Sequence, residues 1–124
     1  MFGAIIGDII GSTYEFRRMK DWDFELFPKE SEFTDDSILT IAIADALMDW
    51  IRDGVDLKKS FVDVMLAYVN AYPYPLGGYG ANFFDWAESE EHLPYNSCGN
   101  GSAMRVSPCA LVARSLDEAL DLAK

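Results

Sequence analysis

The chain has 124 residues, half of them hydrophobic and a quarter charged, which is the composition of an ordinary globular protein and enough for a single domain over residues 1–124. Ten basic against 21 acidic side chains give a net charge of −11, which disfavours broad binding to nucleic acid or anionic lipid because both repel it. One histidine and two cysteines without a CxxC spacing exclude the usual zinc sites and favour a reduced, cytoplasmic protein.

The apolar N-terminus predicts a first helix over residues 2–13. This segment contains Asp8, lacks a basic n-region and is far shorter than the roughly 20 apolar residues that cross a bilayer. We therefore interpret it as a buried helix rather than a signal peptide or membrane anchor. Gly3, Gly7 and Gly11 recur on one stripe, which indicates a close approach of either another helix or a ligand.

A second, central helix is predicted to follow a surface loop. Residues 17–31 are charged and aromatic without a clear period, which is typical of a loop. Residues 35–52 are apolar around most of the helical circumference, so this helix should lie at the centre of a helical domain. Gly54 is predicted to end it, and Asp56 to cap a third helix that continues to about residue 70.

Shorter helices separated by loops are predicted for the rest of the chain. Proline and glycine residues make 72–80 a loop, a short helix covers 83–87, and a second loop covers 88–101.

Residues 102–114 are predicted to be helical, with Pro108 either kinking the helix or starting a new one that Ser107 caps. A capping box that begins at Ser115 starts the last helix. Because no segment alternates like a strand, the predicted fold class is all-α, with several helices around one core.

Asp8 and Glu15 form the first candidate for chemistry. They lie seven residues apart, and therefore on the same side of a helix that continues through Tyr14. Pairs of carboxylates perform general acid–base work on glycosidic bonds. On spacing alone, a solvated residue at the helix end is the simpler interpretation of Glu15.

Thr34, Asp35 and Asp36 form the second candidate. A hydroxyl beside two carboxylates offers the hard oxygen ligands that Mg²⁺, Ca²⁺ or Mn²⁺ prefers. The same residues also start a helix well without any metal, with threonine as N-cap and acidic residues in the first turn. Spacing alone favours the cap. However, the apolar helix indicates that these carboxylates lie in or beside the core, where they are costly unless compensated.

Two glycine-containing segments could bind a ligand. A Gly-Asn-Gly sequence at residues 99–101 places free backbone N–H groups at a helix start, which suits a phosphate as well as it suits a simple turn. It is not a Walker A loop, because no Gly-Lys-Ser/Thr follows. In the earlier loop, Tyr79 could stack on a base or ribose, although aromatic residues at such junctions more often belong to the core.

Three segments, taken together and in this order, resemble the ADP-ribosylglycohydrolase family, which includes the dinitrogenase reductase-activating glycohydrolase. They are GAIIGDIIGSTYE at residues 3–15, TDDS at 34–37 and GNGSAMR at 99–105, and the resemblance extends to about residue 111. It implies an orthogonal bundle of helices with two Mg²⁺ or Mn²⁺ ions in a central cleft. It also implies hydrolysis of the bond between ADP-ribose and a modified protein side chain or small acceptor.

The resemblance further implies roles for individual residues. Thr34, Asp35 and Asp36 would hold a divalent cation, and Glu15 would act near the scissile bond together with Asp35 and Asp36. The ADP-ribose pocket would be lined by Gly78, Tyr79, Gly80, Ser97, Cys98, Gly99, Asn100 and Gly101.

The chain departs from the family pattern in one respect. The family's second metal motif, with aspartates and a threonine in a glycine-containing turn, does not occur within residues 1–124. The bundle would then be truncated, and the missing ligands would come from a complementing C-terminal half or a homo-oligomer, with exposed apolar surface driving association. Two hypotheses stay open: a metal-dependent hydrolase, or a truncated, non-catalytic module that binds ADP-ribose or a nucleotide or self-associates.

Overall fold

The computed structural model describes residues 1–17 and 19–124; Arg18, in the predicted 17–31 loop, lies outside the described residues. The helices are α1 (Phe2–Gly11), α2 (Asp35–Asp53), α3 (Leu57–Ala71), α4 (Ala81–Glu88), α5 (Gly101–Met104), α6 (Ser107–Val112) and α7 (Leu116–Leu122). The described part of the chain forms no strand, only an isolated parallel bridge between Thr34 and Leu76. The predicted all-α class is confirmed. None of the described helices has the length and apolar character that a membrane span requires.

Helix α2 is the centre of the core, as its apolar circumference predicts. Leu39 and Leu47 are each 1% exposed, and burying such a side chain contributes roughly 1.5–3 kcal/mol. Helix α3 packs along α2 and adds Met65 and Val69, while α4 and α6 each add one buried residue. The fold therefore places the first turn of α2 directly beside the hydrophobic core.

Local signals determine where α2 and α3 begin and end. Thr34 caps α2 by accepting a hydrogen bond from the backbone N–H of Asp36 at 3.2 Å. Gly54 ends the helix in the left-handed region, with φ of 67°, where glycine has no steric cost. Asp56 caps α3 by accepting from the N–H of Lys59 at 2.8 Å. These predicted ends are confirmed, as is the absence of helix and strand over residues 19–31.

The prediction of a buried first helix is wrong. α1 ends at Gly11 rather than residue 13, none of its residues is buried, and Phe2 is 78% exposed. A Cβ atom added at any glycine of its stripe would meet nothing within 4 Å, so no described segment of the chain approaches these glycines closely. The physical reason is that α1 lies at the edge of the described bundle, with α2 on one side of it.

Pro108 starts a new helix rather than kinking a longer one. The predicted helix over 102–114 is divided into α5 and α6, because proline has no N–H to donate and its ring obstructs the preceding turn. The cap of α6 is Val106, not Ser107, which is already the first helical residue. Within the described residues, the buried Ser107 hydroxyl has no hydrogen-bond partner.

Asp8 connects α1 to the start of α2. Its Oδ2 accepts from the backbone N–H groups of Thr34 at 2.9 Å and Ser37 at 3.1 Å. Its Oδ1 accepts from the Thr34 hydroxyl at 2.5 Å. One turn later, Ser12 accepts from the N–H of Glu32 at 3.1 Å. The chain entering α2 is therefore held against α1 by these hydrogen bonds.

We predict that Asp8→Ala destabilises the fold. It leaves three donors at the head of α2 without their acceptor, and we expect the free energy of unfolding to fall by about 2 kcal/mol after relief of repulsion from nearby carboxylates. Urea denaturation measures the change. Asp63→Ala is the matched control, because its ion pair with Lys59 is exposed and contributes less than about 0.5 kcal/mol. Equal losses in the two variants would contradict the capping role of Asp8.

Candidate active site

Four carboxylates, those of Asp8, Glu15, Asp35 and Asp36, form an acidic cluster at the junction of α1 and α2. Burial raises the pKa of Asp35 to about 6, and the charges of Asp36, Glu15 and Asp8 add to the rise. Burial also raises the pKa of Asp36, followed by the charge of Asp8. The structure therefore brings the first two candidate segments of the sequence together into one electrostatic unit.

Negative charge in the acidic cluster lacks a counter-charge among the described residues. Ion pairs in that part of the chain lie elsewhere, at the end of α2, on α3 and on α7. The Asp35 carboxylate accepts from its own backbone N–H, and no hydrogen bond to the Asp36 carboxylate is found within residues 1–17 and 19–124, although both side chains are half-buried. Paired, partly desolvated carboxylates are costly in this state, and such sites are typical of cation binding.

A glycine-containing turn at residues 75–78 lies against the carboxylate of Glu15. The N–H of Gly78 donates to the Pro75 carbonyl at 3.0 Å, and Gly77 adopts a φ of 81° at the third position of this turn, where a type II turn requires glycine. A Cβ atom at Gly77 would lie 2.7 Å from Oε2 of Glu15. The preceding residue, Leu76, pairs with Thr34. Sequence reasoning missed Gly77, although the Gly77-Gly78 pair was a signal for a tight turn.

The turn that carries Glu15 is itself anchored. The Tyr14 hydroxyl donates to the Glu25 carbonyl at 2.7 Å, and the Tyr14 ring meets the edge of Phe24 at a centroid distance of 5.3 Å. Glu15 thus has a fixed backbone and an exposed carboxylate.

Tyr79 lies near the acidic cluster, with its hydroxyl within electrostatic reach of Asp35. Burial raises the pKa of Tyr79 to about 12, and the charge of Asp35 contributes. The hydroxyl donates to the Tyr72 carbonyl at 2.9 Å, and the ring packs against Phe83 at 5.6 Å. Gly80 follows as the N-cap of α4. The hydroxyl is thus engaged in the fold, and the half-buried ring is the part that a ligand can contact.

The segment Ser97 to Gly101 is less closely connected to the acidic cluster. Apart from Gly101 it is exposed, and its internal hydrogen bond runs from the Gly99 N–H to the Ser97 hydroxyl at 3.1 Å. Asn100 is the N-cap of α5 without a side-chain cap bond. No hydrogen bond or ion pair joins this segment to the acidic cluster in the described part of the chain.

Helix α5 nevertheless lies beside the face of α2 that carries Asp36. The Thr40 hydroxyl donates to the Met104 carbonyl at 3.3 Å. Thr40 follows Asp36 by four residues, so the two share one face of α2, one turn apart. The structure thereby places the helix that follows the Gly-Asn-Gly sequence next to the face that carries Asp36.

A groove of about 540 Å³ lies away from the acidic cluster, between α4 and residues 89–96. Trp86 and Tyr95 line it together with Asp85 and Glu91. None of the four clustered carboxylates borders it. We assign the candidate site to the acidic cluster because only there do perturbed carboxylates converge.

The donors at the head of α2 fit a hard divalent cation in kind but not in number. Asp35, Asp36 and the Thr34 hydroxyl are oxygen ligands of the sort that Mg²⁺ or Mn²⁺ takes. Within residues 1–17 and 19–124, no three His, Cys, Asp or Glu side chains are arranged to hold a metal ion. The described residues can therefore supply only part of a coordination sphere.

We predict a pH dependence of stability from Asp35 in the metal-free protein. Because its pKa is raised in the folded state, the folded chain binds more protons than the unfolded chain between about pH 4 and pH 6. Stability should fall as pH rises through this window, by on the order of 1 kcal/mol once solvent screening of the half-buried carboxyl is included. Urea denaturation in EDTA measures it.

Asp35→Asn removes the titrating proton at nearly constant shape and should abolish this component. Asp63→Asn, an exposed carboxylate on α3, should keep it. Parallel pH profiles for the wild-type chain and Asp35→Asn would contradict the assignment.

Comparisons with known proteins show which family the chain is similar to. The sequence model of the ADP-ribosylglycohydrolase family matches residues 1–124. The chain is also 31% identical over 147 aligned positions to the uncharacterized protein YegU of Escherichia coli (strain K12), covering 98% of this chain and 43% of that relative. The chain thus spans less than half the length of this relative. No solved structure matches the chain. The predicted resemblance is confirmed: the chain belongs to the ADP-ribosylglycohydrolase family.

Proposed function

We propose that this chain forms the first half of a divalent-cation-dependent glycohydrolase site that cleaves the bond between ADP-ribose and an acceptor. The observation that carries the proposal is the acidic cluster, in which half-buried Asp35 and Asp36 lie beside Glu15 with no counter-charge from the described residues. Membership of a glycohydrolase family supports the reaction class.

Thr34, Asp35 and Asp36 would hold the cation, Mg²⁺ or Mn²⁺, through one hydroxyl and two carboxylates. When bound, the ion would orient water and the ribose hydroxyls and stabilise negative charge. A bound ion would also offset the burial and the repulsion that raise the pKa of Asp35, and would favour the charged form of both aspartates.

Glu15 is suited to hold the proton of the attacking water. Its carboxylate is exposed, and the turn before it and the Gly77 turn confine it to the edge of the acidic cluster. In the hydrolysis, the water oxygen bonds to the anomeric carbon, the bond from that carbon to the acceptor breaks, and the proton of the water passes to Glu15. The departing acceptor takes up a proton in turn.

The substrate side of the site would include the ring of Tyr79. The Tyr79 hydroxyl lies within electrostatic reach of Asp35, and the half-buried ring offers an apolar face to a base or ribose. Gly78 and Gly80 flank it without side chains that would obstruct a ligand. The segment Ser97 to Gly101 would add backbone N–H groups for the ADP-ribose phosphates.

The remaining cation ligands would come from protein beyond these residues, either a complementing C-terminal half or a second copy. Two observations support this requirement: the described donors are incomplete in number, and apolar residues such as Phe2 on α1 and Leu116 on α7 are 78% and 74% exposed. The same observations favour a second candidate function, a module that binds ADP-ribose without hydrolysing it.

We predict that Mg²⁺ stabilises the chain through Asp35. At a concentration 100 times the dissociation constant, the ion should raise the free energy of unfolding by about 2.7 kcal/mol. Thermal unfolding with Mg²⁺ or EDTA measures this shift. Asp35→Asn should lose it, and Asp63→Asn, which changes the net charge equally, should keep it.

The same variants test hydrolysis. Release of ADP-ribose from an ADP-ribosylated protein is measured at high enzyme concentration with Mg²⁺, and Asp35→Asn should reduce it at least 100-fold. If the wild-type chain is stabilised by Mg²⁺ and binds ADP-ribose in calorimetry but releases none, the binding module is the better description. If Mg²⁺ stabilises none of the proteins, the half-site is refuted.

We also predict that Gly77→Ala impairs hydrolysis more than stability. The added Cβ would displace the flexible carboxylate of Glu15, 2.7 Å away, so the water would lose its proton acceptor. Gly54→Ala is the matched control, because its φ of 67° carries a similar backbone cost, about 1 kcal/mol, with nothing within 4 Å and no place in the candidate site. Both variants should unfold at similar urea concentrations, and only Gly77→Ala should slow ADP-ribose release. Equal rates would contradict the role of Glu15.

A further inference from the structure

We propose that Asp8 is a positioning residue that orients the Thr34 hydroxyl, so that an oxygen lone pair rather than the hydrogen faces the cation. This inference rests on the proposed cation site. Asp8 belongs to α1, 26 residues before Thr34, and no motif at the head of α2 identifies it.

The hydrogen bonds around Thr34 leave the hydroxyl only one orientation. A threonine hydroxyl has one proton to donate and two lone pairs. The proton goes to Oδ1 of Asp8 at 2.5 Å, and one lone pair accepts from the Asp36 N–H at 3.2 Å. One lone pair remains. Thr34 is 3% exposed, so solvent offers the hydroxyl little alternative partner.

Asp8 also keeps the neighbouring carboxylates available. Acidic residues in a first turn commonly turn back to accept from the free N–H groups of their own helix. Here two of the first-turn groups are already engaged, because Asp8 accepts from Ser37 and the Thr34 hydroxyl accepts from Asp36. The Asp36 side chain is therefore not used as a cap, and the Asp35 carboxylate accepts from its own backbone N–H.

An asparagine at position 8 would keep the fold but reverse the hydroxyl. Both backbone N–H groups donate to Oδ2, which the amide oxygen can replace. The amide nitrogen would then take the place of Oδ1 and donate to the Thr34 hydroxyl. That bond would occupy the remaining lone pair and turn the hydroxyl hydrogen away from residue 8, toward the cation position.

The experiment measures Mg²⁺ binding by calorimetry for the wild-type chain and for Asp8→Asn, Thr34→Val, the double variant and Asp63→Asn. Circular dichroism and urea unfolding establish that each protein is folded. We expect Asp8→Asn and Thr34→Val each to weaken binding at least tenfold, and Asp63→Asn to change it less than twofold. The double variant should bind no more weakly than Thr34→Val, because Asp8 acts on the cation through the hydroxyl.

The outcomes separate this inference from the proposed function. If the wild-type chain binds no Mg²⁺, the proposed half-site fails and this inference fails with it. If it binds and Asp8→Asn binds within twofold of it, only the role of Asp8 is overturned. Additive losses in the double variant would overturn that role as well, because they show that Asp8 acts independently of the hydroxyl. Should Asp8→Asn not fold, Thr34→Val decides: binding as tight as wild type overturns the proposal.

Discussion

The arrangement of the candidate site depends on one carboxylate, that of Asp8, at the head of α2. An apolar helix at the centre of a core brings its first turn out of water, where each free N–H group needs an acceptor. Thr34, the N-cap of α2, supplies an acceptor for the N–H of Asp36, and Asp8 on α1 supplies an acceptor for the N–H groups of Thr34 and Ser37. The same hydrogen bonds that satisfy the helix therefore also fix α1 and the turn that leads to Glu15.

Satisfying the helix with a carboxylate has an electrostatic cost. A helix N-terminus favours a nearby negative charge by about 0.3–1 kcal/mol when it is exposed. Here burial and repulsion outweigh that benefit and the hydrogen bond from the backbone N–H of Asp35 itself, since the pKa of Asp35 rises to about 6 instead of falling. The cap therefore leaves the Asp35 carboxylate in surroundings that disfavour its negative charge. A bound cation is the ligand that best removes this cost.

Sequence reasoning succeeded where the determining interactions are local. Thr34, Gly54 and Asp56 act within one turn of their helix ends, and the structure confirms each. The sequence did not predict that the Glu15 carboxylate lies against Gly77. The two residues are 62 positions apart, and neither segment contains a pattern that indicates the contact. The structural effect of Pro108 was ambiguous because a kinked helix and a new helix can both accommodate a residue that lacks a backbone N–H group. The structure resolves this in favour of a new helix, where proline lies in the first turn and obstructs nothing.

The exposure of α1, which the sequence predicted to be buried, has a physical explanation. Ile6 is 50% exposed, whereas Asp8, about 200° further round the helix, faces α2. The helix thus turns Asp8 toward the rest of the chain and leaves Phe2 and Ile6 exposed, while Ile5, Ile9 and Ile10 are half-buried. Apolar residues that a sequence predicts to be buried, but that lie exposed at the edge of a bundle, fit a surface that other protein covers. Protein packed on that outer face would lie about one helix diameter, roughly 10 Å, from the acidic cluster. The same contact would then cover the exposed apolar residues of α1 and supply the missing cation ligands.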